Sequence, residues 1–472
     1  MKTTKKIFAA LLAVMMIALM IPFSASAAET NTLTLNGKTG YTFTLYKVAD
    51  VDTTTGEYKN ITTGLESILT TKATEGVDSA ALLTACNTLS LTGGTDYTYA
   101  TGDALTKTIS NLADGVYYLK VKSAPEGVNV TSVTNSVFAL PYYTGSEWVN
   151  EVTVNAAEKI TDGTPTVSKK FTNNATASSI SEFIGKDVSF TLTGSVVGST
   201  TEKAKSYQFV DTMSAGLTYK ALTSVNLVKA NGTKTDITSS VTYYAKTGTT
   251  DNSFTLTIDP TVLANDDFYS NVSVEAVYTA TVNTNAVIGG AGNPNKVDLS
   301  YTNSYNQTSK IEGNEVKVFT FDLTVVKVDA NNTATKLNGA GFTLYTDLAC
   351  TSVATNGSEK VTSGTEVVDG KDVDKGIATF TGIKAGTYYL KETTAPAGYN
   401  INSTVYKVNI SDNGTVTNAN GETITQVEVG DTPLLTPNTG GMGTMMFTIG
   451  GAALIACAGV LFLIVRKKKA AK

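Results

Sequence analysis

The sequence predicts an all-β chain of three tandem β-sandwich domains, preceded by a signal peptide and followed by a transmembrane segment. Three observations predict it. First, 472 residues are enough for about three domains of ordinary size, each burying its own core. Second, 40 Gly, 22 Tyr and only 16% charged residues, with Thr in nearly every segment, favour strands and turns over helical bundles. Third, short alternating runs such as Ser189-Phe190-Thr191-Leu192 and Val405-Tyr406-Lys407-Val408-Asn409-Ile410 are separated by Gly, Asn and Asp, the pattern of antiparallel sandwiches.

Residues 1–27 read as a signal peptide: Lys2, Lys5 and Lys6, an apolar run from Ile7 to about Phe23, then Ala25-Ser26-Ala27 as a small-residue cleavage site. The N-terminal sandwich is expected over 28–162, with one helix from Ser79 to Leu91. The polar, turn-rich breaks Thr161-Asp162-Gly163-Thr164-Pro165 and Lys310-Ile311-Glu312-Gly313-Asn314 set off a middle domain, 163–317. A third domain follows over 318–433. Two pairs of segments echo each other: Tyr117-Tyr118-Leu119-Lys120 with Tyr388-Tyr389-Leu390-Lys391, and Phe43-Thr44-Leu45-Tyr46 with Phe342-Thr343-Leu344-Tyr345. The first and third domains therefore read as copies of one sandwich. The tail, 434–472, holds an apolar stretch over 445–465 closed by Arg466-Lys467-Lys468-Lys469, a spanning helix whose basic end stays cytoplasmic.

Net charge is −5, histidine is absent, and no basic block lies outside the termini, so nucleic-acid binding and histidine-based catalysis have no support. Cys86, Cys350 and Cys457 are too few and scattered for a disulfide framework or metal site. No cofactor is expected, and no Gly-x-Ser-x-Gly elbow supports a secreted hydrolase.

Thr436-Pro437-Asn438-Thr439-Gly440 stands directly before the apolar stretch and basic tail. This three-part arrangement resembles the cell-wall sorting signal of sortase substrates, with Thr436 where leucine is usual. The resemblance implies cleavage after Thr439 by a cysteine transpeptidase, which holds the threonyl carbonyl as a thioester until an amine takes it.

The segments Asp211-Thr212-Met213-Ser214-Ala215-Gly216-Leu217-Thr218-Tyr219 and Glu392-Thr393-Thr394-Ala395-Pro396-Ala397-Gly398-Tyr399 are similar to the acid-bearing segments of Gram-positive pilins and collagen-adhesin B-type domains. The resemblance covers most of 163–433 and implies immunoglobulin-like or transthyretin-like sandwiches. In such domains a lysine on the first strand attacks a side-chain carbonyl on the last, assisted by a buried acid. The lysine must be desolvated to lose its proton, the acid must stay protonated, and all three groups must point inward.

Strand parity tests this. Val167, Lys169 and Phe171 share a face, as do Tyr207, Phe209 and Asp211, and Val297, Leu299, Tyr301 and Asn303. In the third domain Leu323, Val325 and Lys327, Tyr388, Leu390 and Glu392, and Val427, Val429 and Asp431 do likewise. The expected bonds are Lys169 to Asn303 with Asp211 as helper, and Lys327 to Asp431 with Glu392 as helper. The N-terminal domain has Val121 where its twin has Glu392, and no internal bond is expected there.

Trp148-Val149-Asn150-Glu151-Val152-Thr153-Val154, followed by Lys159, resembles the strand that precedes the receptor lysine of polymerising pilins. Trp148, Val152 and Val154 are expected to face inward and Lys159 to be exposed. The resemblance implies the shaft subunit of a covalently polymerised, cell-wall-anchored pilus (fimbrium), in which Thr439 of one copy joins Lys159 of the next. Its implied partners are a class C-type pilus sortase, a housekeeping sortase, other copies of the chain, peptidoglycan, minor or tip pilins and a host surface ligand. The chain itself is then a sortase substrate rather than an enzyme. A monomeric or tip-located wall-anchored adhesin using the same domains as a stalk stays open as the alternative.

Overall fold

The computed structural model describes residues 30–246, 251–434 and 443–469. The expected signal peptide and the motif Thr436 to Gly440 lie outside these residues. Two compact units divide between Thr320 and Phe321, three residues beyond the expected end of the middle domain.

The first unit holds two sandwiches. In the N-terminal one, β1 (Asn31–Asn36), β3 (Thr106–Leu112) and β7 (Glu151–Asn155) form one sheet, with β1 central and parallel to β7. The facing sheet is built on β2 (Thr42–Val51), β4 (Gly115–Ser123) and β6 (Ser136–Leu140). Alternation buries Leu33 and Leu35 of β1 against Phe43, Leu119 and Val121 from the other sheet. A helix, α1 (Ser79–Thr88), starts where Asp78 caps the Ala80 and Ala81 amides, and packs Leu82 and Cys86 into a second cluster with Val116 and Tyr118. The chain leaves through a hairpin-like pair, β5 (Asn129–Val133) with β8 (Ile160–Gly163).

The middle sandwich packs a five-stranded sheet on a six-stranded one. The first contains β9 (Val167–Phe171), β10 (Asp187–Ser195), β12 (Leu217–Val228) and β15 (Ser273–Val282). The second contains β11 (Ser206–Ser214), β13 (Val241–Lys246), β14 (Asp251–Ile258), β16 (Asn293–Thr302) and β17 (Thr308–Phe319). Alternation on β15 and β16 sends Tyr278, Val297, Leu299 and Tyr301 into the core.

The second unit repeats the N-terminal plan. One of its sheets carries β18 (Phe321–Asp329), β20 (Lys371–Ile383) and β23 (Val427–Asp431), with β18 parallel to β23. The other carries β19 (Gly341–Tyr345), β21 (Gly386–Thr394) and β22 (Val405–Ile410). Beyond it, α2 (Gly443–Lys469) includes Phe447–Lys467, long and apolar enough to cross a membrane.

Candidate functional site

Each of the last two sandwiches buries one lysine beside carboxylic acids. In the middle domain Lys169 projects from β9 across the sandwich to two neighbouring strands of the other sheet. Its Nζ contacts Asp211 Oδ2 on β11 and Asn295 Oδ1 on β16. The side chains of Lys169 and Asp211 are wholly buried, and Asn295 is 0% exposed. The rings of Phe190 and Tyr278 wall the amine, their centroids 5.1 and 5.4 Å from Nζ. Tyr278 also orients the amide, its hydroxyl accepting from Asn295 Nδ2 at 2.8 Å. The Lys169 backbone and the Asn314 side-chain amide exchange two hydrogen bonds of 2.7 and 2.8 Å that fix the height of β9.

Burial decides the protonation of this group. Desolvation pushes the Lys169 amine down to about 8 from 10.5, against the pull of Asp211, and pushes the Asp211 carboxyl up. Both shifts favour a neutral amine beside a neutral acid, the state that attack on an amide requires.

The expected carbonyl donor of this domain is corrected: Asn295, not Asn303, meets the amine. Asn303 shares the parity of Asn295 but lies eight residues further, about 26 Å along an extended strand. There its side-chain oxygen caps a turn, accepting from the amides of Tyr305 at 2.9 Å and Gln307 at 3.0 Å. Parity gives the face of a strand residue and not its height.

In the C-terminal domain the three expected residues meet. Lys327 on β18 and Asp431 on β23 belong to adjacent parallel strands, and Lys327 Nζ contacts Asp431 Oδ1. Glu392 reaches from β21 in the facing sheet, its Oε1 3.1 Å from Nζ. All three side chains are at most 1% exposed. The other Glu392 oxygen accepts from the Asn402 amide at 2.7 Å, and burial raises its pKa despite that bond and the neighbouring amine. Phe342 covers the site, its ring centroid 5.9 Å from Nζ.

Lys159 does not stand free, as the sequence had suggested. It ends a 3-10 turn, Ala157–Lys159, pinned by the buried Ile160 and by the Thr134 amide donating to its carbonyl at 2.9 Å. Its half-buried Nζ donates to the buried Ser136 hydroxyl at 2.7 Å, and desolvation lowers its pKa. Trp148 also departs from expectation. It lies in a separate two-residue strand paired with Tyr142–Tyr143 and packs on the α1 cluster, whereas Val152 and Val154 join the sandwich core. Asn150 interrupts the strand between them.

Two family models match the two domains that hold the buried lysines: the Gram-positive pilin backbone subunit 2, Cna-B-like domain over residues 184–305, and the SpaA prealbumin-like fold domain over 321–423. The chain belongs to the Gram-positive backbone pilins.

A curated relative of this pilin, the trypsin-resistant surface T6 protein of Streptococcus pyogenes serotype M6, is 28% identical over 158 residues, 30% of this chain. The alignment spans 26% of that relative, about a quarter of its length. Among solved structures, the T6 backbone pilin of serotype M6 Streptococcus pyogenes has a modular three-domain structure decorated with variable loops and extensions. It aligns at a TM-score of 0.50 and 22% identity over 82% of this pilin and 81% of that chain. The full-length RrgB pilus protein of Streptococcus pneumoniae aligns at 0.50 and 12% identity, over 87% and 99%. At these identities the likeness is one of fold. The pilin's two buried clusters have the composition needed to join a lysine amine to a side-chain carbonyl.

Proposed function

We propose that this pilin is the structural backbone subunit of a covalently polymerised, wall-anchored surface pilus, with two of its domains closed by internal amide bonds. The observation that carries the reading is the pair of fully buried lysines, each against a side-chain carbonyl oxygen and a helper acid.

In the middle domain the neutral Lys169 amine attacks Asn295 Cγ while Asp211 protonates the carbonyl oxygen. Asp211 then relays the amine's proton to the departing nitrogen, so that one ammonia leaves for each amide formed. In the C-terminal domain Lys327 attacks the Asp431 carboxyl, Glu392 relays the protons, and one water leaves. The chain performs each reaction once, on itself. It otherwise serves as a substrate: sortase cleaves after Thr439 and passes the acyl group to Lys159 of another copy, and a housekeeping sortase transfers the finished polymer to peptidoglycan.

The half-buried position of Lys159 favours a second reading, in which the chain is a monomeric or tip-located adhesin that no further subunit joins. Intact mass and peptide mapping of residues 28–433 test the internal bonds. The expected result is a deficit of about 17 Da for the lost ammonia and about 18 Da for the lost water, with Lys169–Asn295 and Lys327–Asp431 cross-linked peptides. An unshifted mass overturns them. Incubation of the full chain with its pilus sortase then separates the two readings, through a Thr439–Lys159 linked peptide or its absence.

A further inference from the structure

The N-terminal domain contains the frame of the C-terminal site with its reactive groups removed. Strand registers establish the correspondence position by position. Phe43 pairs with Val121 and Leu45 with Leu119 between β2 and β4, as Phe342 pairs with Glu392 and Leu344 with Leu390 between β19 and β21. Leu33 pairs with Val152 and Leu35 with Val154 in the parallel pair β1 and β7, as Val325 pairs with Val427 and Lys327 with Val429 in β18 and β23. Two residues after these valines stand Ala156 and Asp431. Lys327, Glu392 and Asp431 thus have Leu35, Val121 and Ala156 as counterparts, all buried in one cluster.

The frame is apolar but not filled. Phe43, Val121, Ser136 and Ala156 line a single small cavity. Ser136 pairs with Leu119 as Tyr406 pairs with Leu390, so the serine occupies the place of a tyrosine that borders the twin's acids. Where the twin has a ring, the N-terminal domain has a hydroxymethyl group and a gap, and the Lys159 amine is bonded to that hydroxyl.

We propose that the emptied frame is a seat for Lys159, opened by the small Ser136 side chain, and that the amine must leave this seat before any acyl donor can reach it. The inference rests on Lys159 as the acceptor of the proposed polymer. The geometry gives Ser136 a positioning role: it holds the amine back, and exchange of that one hydrogen bond for solvent sets the rate of release. It also explains why an acceptor four residues past the last strand of the sheet is not simply exposed.

The test is timed acetylation of the full chain with a water-soluble acetylating reagent, read at each lysine by peptide mass mapping, in the wild type, S136A and S136Y. Lys72, which is exposed, is the reference. Wild-type Lys159 is expected to react about fivefold more slowly than Lys72, the effect of one hydrogen bond's net worth. S136Y restores the twin's residue, fills the seat and brings Lys159 close to the Lys72 rate, and S136A gives a smaller rise. Wild-type Lys159 reacting as fast as Lys72, or a folded S136Y with an unchanged rate, overturns the seat. If circular dichroism shows S136Y unfolded, S136A decides, and an unchanged rate there overturns it. Parallel reactions with the pilus sortase separate the two levels. If acetylation follows Ser136 but sortase joins another lysine, the polymer reading fails and the seat stands.

Discussion

A lysine amine sealed from water carries a charge only at high cost, so it either finds a counter-ion, loses its proton, or reacts. Lys169 is placed for the last two, and Asn295 decides where it reacts. Asn295→Ala is expected to abolish the deficit of about 17 Da, and Asn303→Ala to leave it intact, both read by intact mass. Asp211→Ala also abolishes it, by removing the proton relay.

The unlinked Asn295→Ala chain should show a pH signature as well. The folded Lys169 titrates at about 8 against 10.5 unfolded, so between these values the unfolded state holds the extra proton. Its stability should rise as pH goes from 8 to 10.5, measured by denaturant unfolding. Asp211, shifted up by burial, acts in the opposite sense, costing stability as pH climbs above the ordinary 3.8. Lys169 and Asp211 were legible in the sequence because apolar neighbours at period two mark an inward face. Asn295 was not, because Asn295 and Asn303 have the same parity and only the pairing of β9 with its neighbours sets the height. Tyr278 was hidden for another reason: a tyrosine on an apolar face reads as core until its hydroxyl is seen to meet an amide.

Among the elements, the first and last strands of the C-terminal domain are the ones the bond would join, and on its other side the first strand, β18, is closely approached by one glycine of β20. Gly376 on β20 has φ +62°, and a Cβ there would stand 2.7 Å from the Lys327 carbonyl oxygen and 2.8 Å from the Leu337 nitrogen. Gly376→Ala is therefore expected to destabilise this domain by at least about 1 kcal/mol. It should also slow amide formation, followed as loss of about 18 Da after refolding. The strands were readable from alternation and turn residues, and so was the start of α1 at Ser79, though the helix ends at Thr88 and not at Leu91. The break at Asn150 was not, since Trp148, Val152 and Val154 keep a regular spacing and only the packing of the indole on α1 pulls its segment away.

For the whole chain, the two amides would close loops of 126 residues between Lys169 and Asn295 and a similar length between Lys327 and Asp431. By analogy with disulfide chain entropy each is worth about 4 to 5 kcal/mol. The N-terminal sandwich has Leu35, Val121 and Ala156 at the equivalent places, none of which can form such an amide through its side chain. Single-molecule pulling on the mature chain should thus release the N-terminal domain as the main step, roughly 400 Å of contour. Lys169→Met should add a second step of comparable size. The three-domain plan itself was legible, because the repeated segments and polar breaks are local signals.

An amide at Asn295, near the start of β16, would leave each subunit a defined length of chain outside the bond. Tension entering at β9 would cross the amide to Asn295 and leave through β17, so residues 296–319, most of the β16–β17 hairpin, lie outside the locked loop. Their ladder with each other, the pairing of β16 with β11 along Asn295–Thr302, the two bonds between Lys169 and Asn314, the parallel contact of Lys317–Phe319 with Ser179–Ser181 and the core packing of Val297, Leu299 and Tyr301 all oppose unzipping. Under a load high enough to strip these contacts, each subunit would yield about 80 Å and then stop at the covalent bond, its first strands still tied together.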